Sequence, residues 1–224
     1  YKIFTACSPN ALRDKSMQFK NIQSKAEQFL TKPATEQIGW ITGSQVCYCA
    51  EAFQGVPREH PDAPVLSVLA TVLRNGFLHT AIREKGGAYG AGATNDTSTN
   101  TFKFFSYRDP KCSETFAAFK EAIEWSKTSI TNQHLEEAIL GVVSSIDKPL
   151  SPVGEAKNDF NFNLEDISTK ERLKMRQRVI NCSIEDLIRV SKKYLTKGDS
   201  KKSILAGESY REEASSLGLT LKEV

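Results

Sequence analysis

The stretch Ile82-Arg83-Glu84-Lys85-Gly86-Gly87-Ala88-Tyr89-Gly90-Ala91-Gly92-Ala93 constrains this chain more than any other. Upstream of it, Val65, Leu66, Val68, Leu69, Val72, Leu73, Leu78 and Ile82 fall at helical spacing and predict a well-buried helix. Asp62-Ala63-Pro64 opens that helix with an acidic cap and an early proline. A glycine pair then breaks it, since glycine past a helix end accepts the left-handed backbone at little cost. Arg83 falls in the last helical turn, where a cation suits the macrodipole. Beyond the turn, strand alternation predicts Tyr89, Ala91 and Ala93 on one face and Ala88, Gly90 and Gly92 on the other. One large phenol among such small residues leaves backbone open to close approach by another chain.

A glycine-rich turn beside a lysine also suggests a phosphate cradle, but neither nucleotide motif is complete. The dinucleotide pattern beginning Gly90-Ala91-Gly92 needs a third glycine where this chain has Asn95. No G-K-[ST] tripeptide follows, and these glycines end a helix rather than open one. A plain helix-to-strand turn with an exposed arginine and a packed tyrosine fits the local pattern as well.

With 224 residues, 39% of them hydrophobic, the chain buries a real core. A formal net charge of +3 is too small to imply a nucleic-acid partner. No apolar run approaches the roughly twenty residues that span a bilayer, which argues against a membrane partner, and no secretory signal is visible. Tyr1-Lys2-Ile3-Phe4 reads as the middle of a longer polypeptide. The five cysteines form no C-x-x-C pair and suit a reducing compartment. Cys47 and Cys49 share one face of a strand as small buried apolar groups. The three histidines His60, His79 and His134 lie too far apart for a local metal site. His134-Leu135-Glu136-Glu137-Ala138 approaches H-x-x-E-H, but Ala138 stands where the second ligand belongs, so no metal ligand is assigned. His134 is read as a solvated residue of a first helical turn.

Along the chain, a short strand at 3–7 and a helix at 11–30 precede Thr31-Lys32-Pro33-Ala34; residues 1–34 read as the tail of a preceding domain. A long strand is expected over Ile38 to Phe53, bent near Gly39 and Gly43. Strands Ala88–Thr94 and Thr101–Tyr107 make a hairpin. Helices follow at Ser113–Lys127, Thr131–Asp147, Ser168–Val179 and Ser183–Tyr194, with an irregular stretch at 155–166. Ile204-Leu205-Ala206 lies in a last strand, and residues 209–224 read as a polar tail. The sum is an α+β chain: a largely antiparallel sheet with helices packed on one face. The other face is either covered by something outside this stretch or is a working surface.

Several segments together resemble one family. They are Pro61-Asp62-Ala63-Pro64, the Arg83-Glu84-Lys85-Gly86-Gly87-Ala88-Tyr89-Gly90 block, Ser106-Tyr107-Arg108-Asp109-Pro110, Asp147-Lys148-Pro149-Leu150-Ser151-Pro152 and Ile204-Leu205-Ala206-Gly207. The chain resembles the C-terminal part of presequence-protease-type zinc peptidases of the pitrilysin/insulinase superfamily, over roughly residues 35–208. The resemblance implies two bowl-shaped halves closing around a chamber that degrades unfolded peptides, in a bacterial cytoplasm or a mitochondrial-type matrix. It implies zinc, with its ligands in the N-terminal half of the same polypeptide and outside this chain, so that this stretch alone is inactive. It also implies that Arg83 and Tyr89 reach across the chamber to substrate, with Gly86, Gly87 and Gly90 holding them and leaving room. Those residue types suit the task. A phenol is a neutral donor for an oxygen gaining charge, and a guanidinium is a permanent forked cation for backbone carbonyls. The alternative is a non-catalytic structural or peptide-binding member of the same superfamily.

Overall fold

Alternation decides the architecture. In the strand Thr101–Tyr107, Phe102, Phe104 and Ser106 are buried while Phe105 and Tyr107 are exposed, so one sheet face is covered and the other is open. The computed structural model describes residues 36–195 and 200–224; the strand at 3–7 and the helix at 11–30 lie outside them. Residues 36–147 with 173–224 form one compact unit, and 148–172 belong to a second.

In the first unit the strands are β1 (Ile38–Thr42), β2 (Tyr48–Gln54), β3 (Gly90–Asp96), β4 (Thr101–Tyr107), β5 (Lys201–Gly207) and β6 (Thr220–Glu223). They form one sheet in the order β3-β4-β2-β5-β1-β6. Pairings from β3 through β5 are antiparallel, and β1 runs parallel to both its neighbours. The expected single strand Ile38–Phe53 is therefore two strands, separated in the sheet by β5. The bend is a full exit: a Cβ on Gly207 would sit 1.7 Å from the Ser44 carbonyl oxygen, so β5 ends flush against the β1–β2 turn. Residues 209–224 are likewise no tail, since α7 (Arg211–Ser216) leads into β6, which extends the sheet.

Helix α1 (Asp62–Leu73) carries the main apolar face, and α2 (Ser113–Ser126) adds Phe116 and Phe119. Phe119 stacks on Phe104 with ring centroids 5.3 Å apart. α1 runs on without a break into a π-helical stretch, Arg74–Glu84, whose wider winding the apolar spacing did not reveal. Together they make 23 residues, long and apolar enough by composition to cross a membrane, contrary to the expectation that no run approached that length. Ten of the twelve α1 residues are buried in this unit, so core packing accounts for its apolarity.

The acidic residue at its start does different work from that expected. Pro61 is the N-cap and makes no side-chain capping bond. Asp62 is buried and takes Arg189 at 2.7 Å, Lys193 at 3.0 Å and Tyr194 at 2.7 Å. Burial pushes its carboxyl up, but the hydrogen bonds from Tyr194, Arg189 and Lys193 outweigh that and hold it at about 2. Asp62 thereby ties α1 to α6 (Ile184–Val190) and the turn after it. Ser183 caps α6 in a capping box with Asp186, as its position predicts.

Helix α3 (Asn132–Ile146) begins with a capping box in which the ring of His134 accepts from the Thr131 backbone. That ring also packs edge-on against Trp125 at 5.1 Å, so His134 is half-buried and structural rather than solvated. In the second unit, residues 155–166 fall mostly within a regular helix, α4 (Pro152–Leu164), capped by Ser151. Helix α5 (Thr169–Ile180) begins there, with Arg172 stacked 4.2 Å over Phe162.

Candidate functional site

The glycine pair makes the turn, each glycine for its own reason. A Cβ on Gly86 would lie 2.4 Å from the Ile82 carbonyl oxygen, and Gly87 has φ of +85°. The helix unwinds through wide hydrogen bonds: Lys85 N–H reaches Thr80 O at 3.0 Å, and Ala88 N–H reaches Ile82 O at 3.1 Å. Ala88 is buried as the plug, and Tyr89 emerges beside it with 70% of its surface exposed.

Arg83 and Tyr89 thus stand on either side of the turn, both exposed. Arg83 hydrogen-bonds the ring of His79 at 3.2 Å, and His79 in turn lies 3.3 Å from Glu84. Tyr89 leans edge-on against Tyr107, 5.7 Å between centroids. The face assignment needs one correction. Ala91 and Ala93 turn toward the core while Tyr89 turns outward. The strand begins only at Gly90, so Tyr89 belongs to the turn and escapes the alternation.

Tyr89 stands at one end of an apolar row that crosses the open face. Gly90 pairs with Tyr107, whose ring packs on Tyr48 at 5.3 Å; Tyr48 pairs with Leu205, Leu205 with Trp40, and Trp40 with Lys222. Tyr107, Leu205 and Trp40 are exposed, and a Cβ on Gly90 would meet nothing within 4 Å. Sequence reasoning did not single out Tyr48 or Trp40, and it quoted Tyr107 and Leu205 only within the family-like segments, with no role at the site. The alternation Phe105, Tyr107 in β4 carried the signal, but an aromatic strand reads as core until its neighbours are known.

The two diagnostic motifs meet here. Tyr89 N–H donates to Arg108 O at 3.3 Å, and Asp109 exchanges two 2.8 Å backbone bonds with Cys47. The fully buried Asp109 carboxylate accepts from Thr115 Oγ1 at 2.6 Å and Lys111 N–H at 2.9 Å. Ser106-Tyr107-Arg108-Asp109-Pro110 is thus the brace that fixes where Tyr89 starts.

Among the described residues no open site for a catalytic zinc is found. Among the described residues, the one group of His, Cys, Asp or Glu close enough to share an ion is Cys47, Cys49 and Cys112. All three are at most 1% exposed, which leaves no position for a substrate.

A six-stranded sheet with helices packed on one face is the fold of pitrilysin-type peptidase domains. A Helicobacter pylori protease superposes with a TM-score of 0.66 at 18% identity, over 75% of this chain and 43% of that one. The inactive M16 peptidase domain from Pseudomonas fluorescens gives 0.60 at 20% identity, over 77% and 43%.

Residues 42–206 match the PreP C-terminal domain, and the chain belongs to that family. The mitochondrial presequence protease of Xenopus tropicalis is 38% identical over 168 residues, 75% of this chain and 16% of that protein. That of Kluyveromyces lactis is 36% identical over 166 residues, 73% and 17% respectively. The chain thus spans about one sixth of these relatives.

Proposed function

We propose that this domain is the substrate-gripping wall of a presequence-protease-type peptidase. In that reading the Arg83–Tyr89 turn and the open aromatic face hold an unfolded peptide in a chamber while hydrolysis is carried out by the N-terminal half of the same polypeptide. The carrying observation is Tyr89, 70% exposed on a braced turn at the end of the row through Tyr107 and Tyr48. A mere helix-to-strand turn would gain by burying that ring, since an aromatic side chain is a large apolar surface.

The chemistry follows from the residues. The Tyr89 hydroxyl donates a neutral hydrogen bond to the carbonyl oxygen that gains charge as the peptide bond is attacked. Arg83 supplies a fixed cation with several donors for backbone carbonyls, which favours extended substrates with little regard to side chain. Gly90 leaves the backbone accessible beside them. Hydrolysis itself is assigned to zinc bound outside this chain, which by itself would be inactive. The full-length protein is placed in a mitochondrial-type matrix, in keeping with its mitochondrial relatives and with the free buried thiols Cys47, Cys49, Cys112 and Cys182.

In the full-length protein, Tyr89→Phe is expected to lower kcat on the order of 100-fold with little change in KM. Arg83→Ala is expected to raise KM. An unchanged kcat in Tyr89→Phe together with an unchanged KM in Arg83→Ala, with normal folding, overturns the proposal in favour of a non-catalytic wall.

A further inference from the structure

Directly beneath the brace of Tyr89 lies a cluster for which the peptidase reading has no use. Cys47, Cys49 and Cys112 come from the start of β2 and the N-cap of α2, and their three sulfurs lie within 4.8 Å of one another. The Cys47 and Cys49 sulfurs are 3.8 Å apart. These residues are 0%, 1% and 0% exposed.

We propose that these three thiols form a binding site for a soft, thiophilic metal ion of trigonal preference, monovalent copper being the fitting one. The distances agree with such an ion: metal–sulfur bonds of about 2.3 Å in a plane separate the sulfurs by about 4.0 Å. Donor chemistry agrees as well, because an all-thiolate set selects soft ions. Donor number decides between candidates. Zinc in a closed protein site takes four ligands. Among the described residues no fourth His, Cys, Asp or Glu ligand atom joins the cluster. The nearest brace carboxylate, Asp109, is already held by Thr115 and the Lys111 backbone. Cys112 stands at the N-terminus of a 14-residue helix, whose macrodipole favours the negative charge that thiolate ligands bring.

Each sulfur that ligates the ion gives up its proton to solvent, and no electron is transferred. The segment carrying α7 is tied over the start of α2, where Glu213 accepts from the Ser113 backbone and Tyr210 donates to Pro110 O at 3.1 Å. A bound ion would cross-link the β2 start to the α2 start. It would stiffen the Asp109 brace without touching the open face.

The test is anaerobic titration of the reduced protein with monovalent copper against a competing copper(I) chelator, with X-ray absorption at the copper edge. The expected result is one tightly held ion in a three-sulfur shell. Cys112→Ser and Cys49→Ala should each weaken binding at least 100-fold, while Cys182→Ser, at a buried thiol outside the cluster, leaves it unchanged. Three results overturn the proposal: no retention against the chelator, a two-sulfur shell, or undiminished binding in both cluster variants. Preferential retention of zinc in a four-ligand shell does so too. The X-ray measurement needs only the wild-type protein, so a variant that fails to fold leaves the site testable.

Discussion

The two faces of β4 are built from the same kinds of residue and have opposite fates. Phe102 and Phe104 point one way and are wholly buried, Phe104 stacked on Phe119 of α2; Phe105 and Tyr107 point the other way and stay 39% and 46% exposed. Burying a phenyl ring contributes on the order of 2–3 kcal/mol, so an uncovered aromatic face forgoes stability that the covered face collects. Trp40, Tyr107, Phe105 and Leu205 stay exposed in one band, and under the proposed function that band is the surface that meets substrate. The lesson is that hydrophobicity shows which residues lie in the sheet, and only the covering layer shows which of them work.

Substitution on the two faces should separate stability from function. Phe104→Ala, on the covered face, is expected to cost about 3–5 kcal/mol in urea denaturation. Phe105→Ala, its neighbour on the open face, should cost less than about 1 kcal/mol yet raise KM for long peptides in the full-length enzyme. Equal losses of stability would break the comparison.

The glycines sharpen it next. Gly86→Ala drives a methyl against the Ile82 carbonyl and should cost about 2–3 kcal/mol along with turnover. Gly90→Ala meets open space and should be nearly neutral to folding while impeding substrate. Melting temperatures and kinetics of the pair check both halves.

The covering layer itself is anchored by Asp62, whose carboxyl is held below its unfolded value. Its stabilising contribution is present above about pH 4 and disappears as the pH falls through about 2. Asp62→Asn should cost about 1–2 kcal/mol at neutral pH, since its cationic partners are half exposed. It should also flatten the loss of stability between pH 4 and pH 2, measured by denaturant titration at each pH. An unchanged acid limb would place the anchor elsewhere.

Much of this was legible because it is local. The Gly86–Gly87 stop, the β3–β4 hairpin and the capped α6 are each written in a few consecutive residues. What was hidden depends on distant chain. β1 and β2 read as one strand because the strand that parts them, β5, lies some 150 residues later in the chain. Cys112 joins Cys47 and Cys49 only through the Asp109–Cys47 bridge, which no spacing rule anticipates. The polar reading of 209–224 failed because an edge strand such as β6 needs few apolar residues.

The central claim is that Tyr89 and the open face beside it meet substrate backbone. Placing a photoreactive phenylalanine analogue at position 89 of the full-length protein and irradiating it with an unfolded peptide tests this directly. The account predicts a cross-link to peptides of unrelated sequence, abolished by excess unlabelled peptide. Cross-linking only to another segment of the same polypeptide would show that the face is covered, and would contradict it.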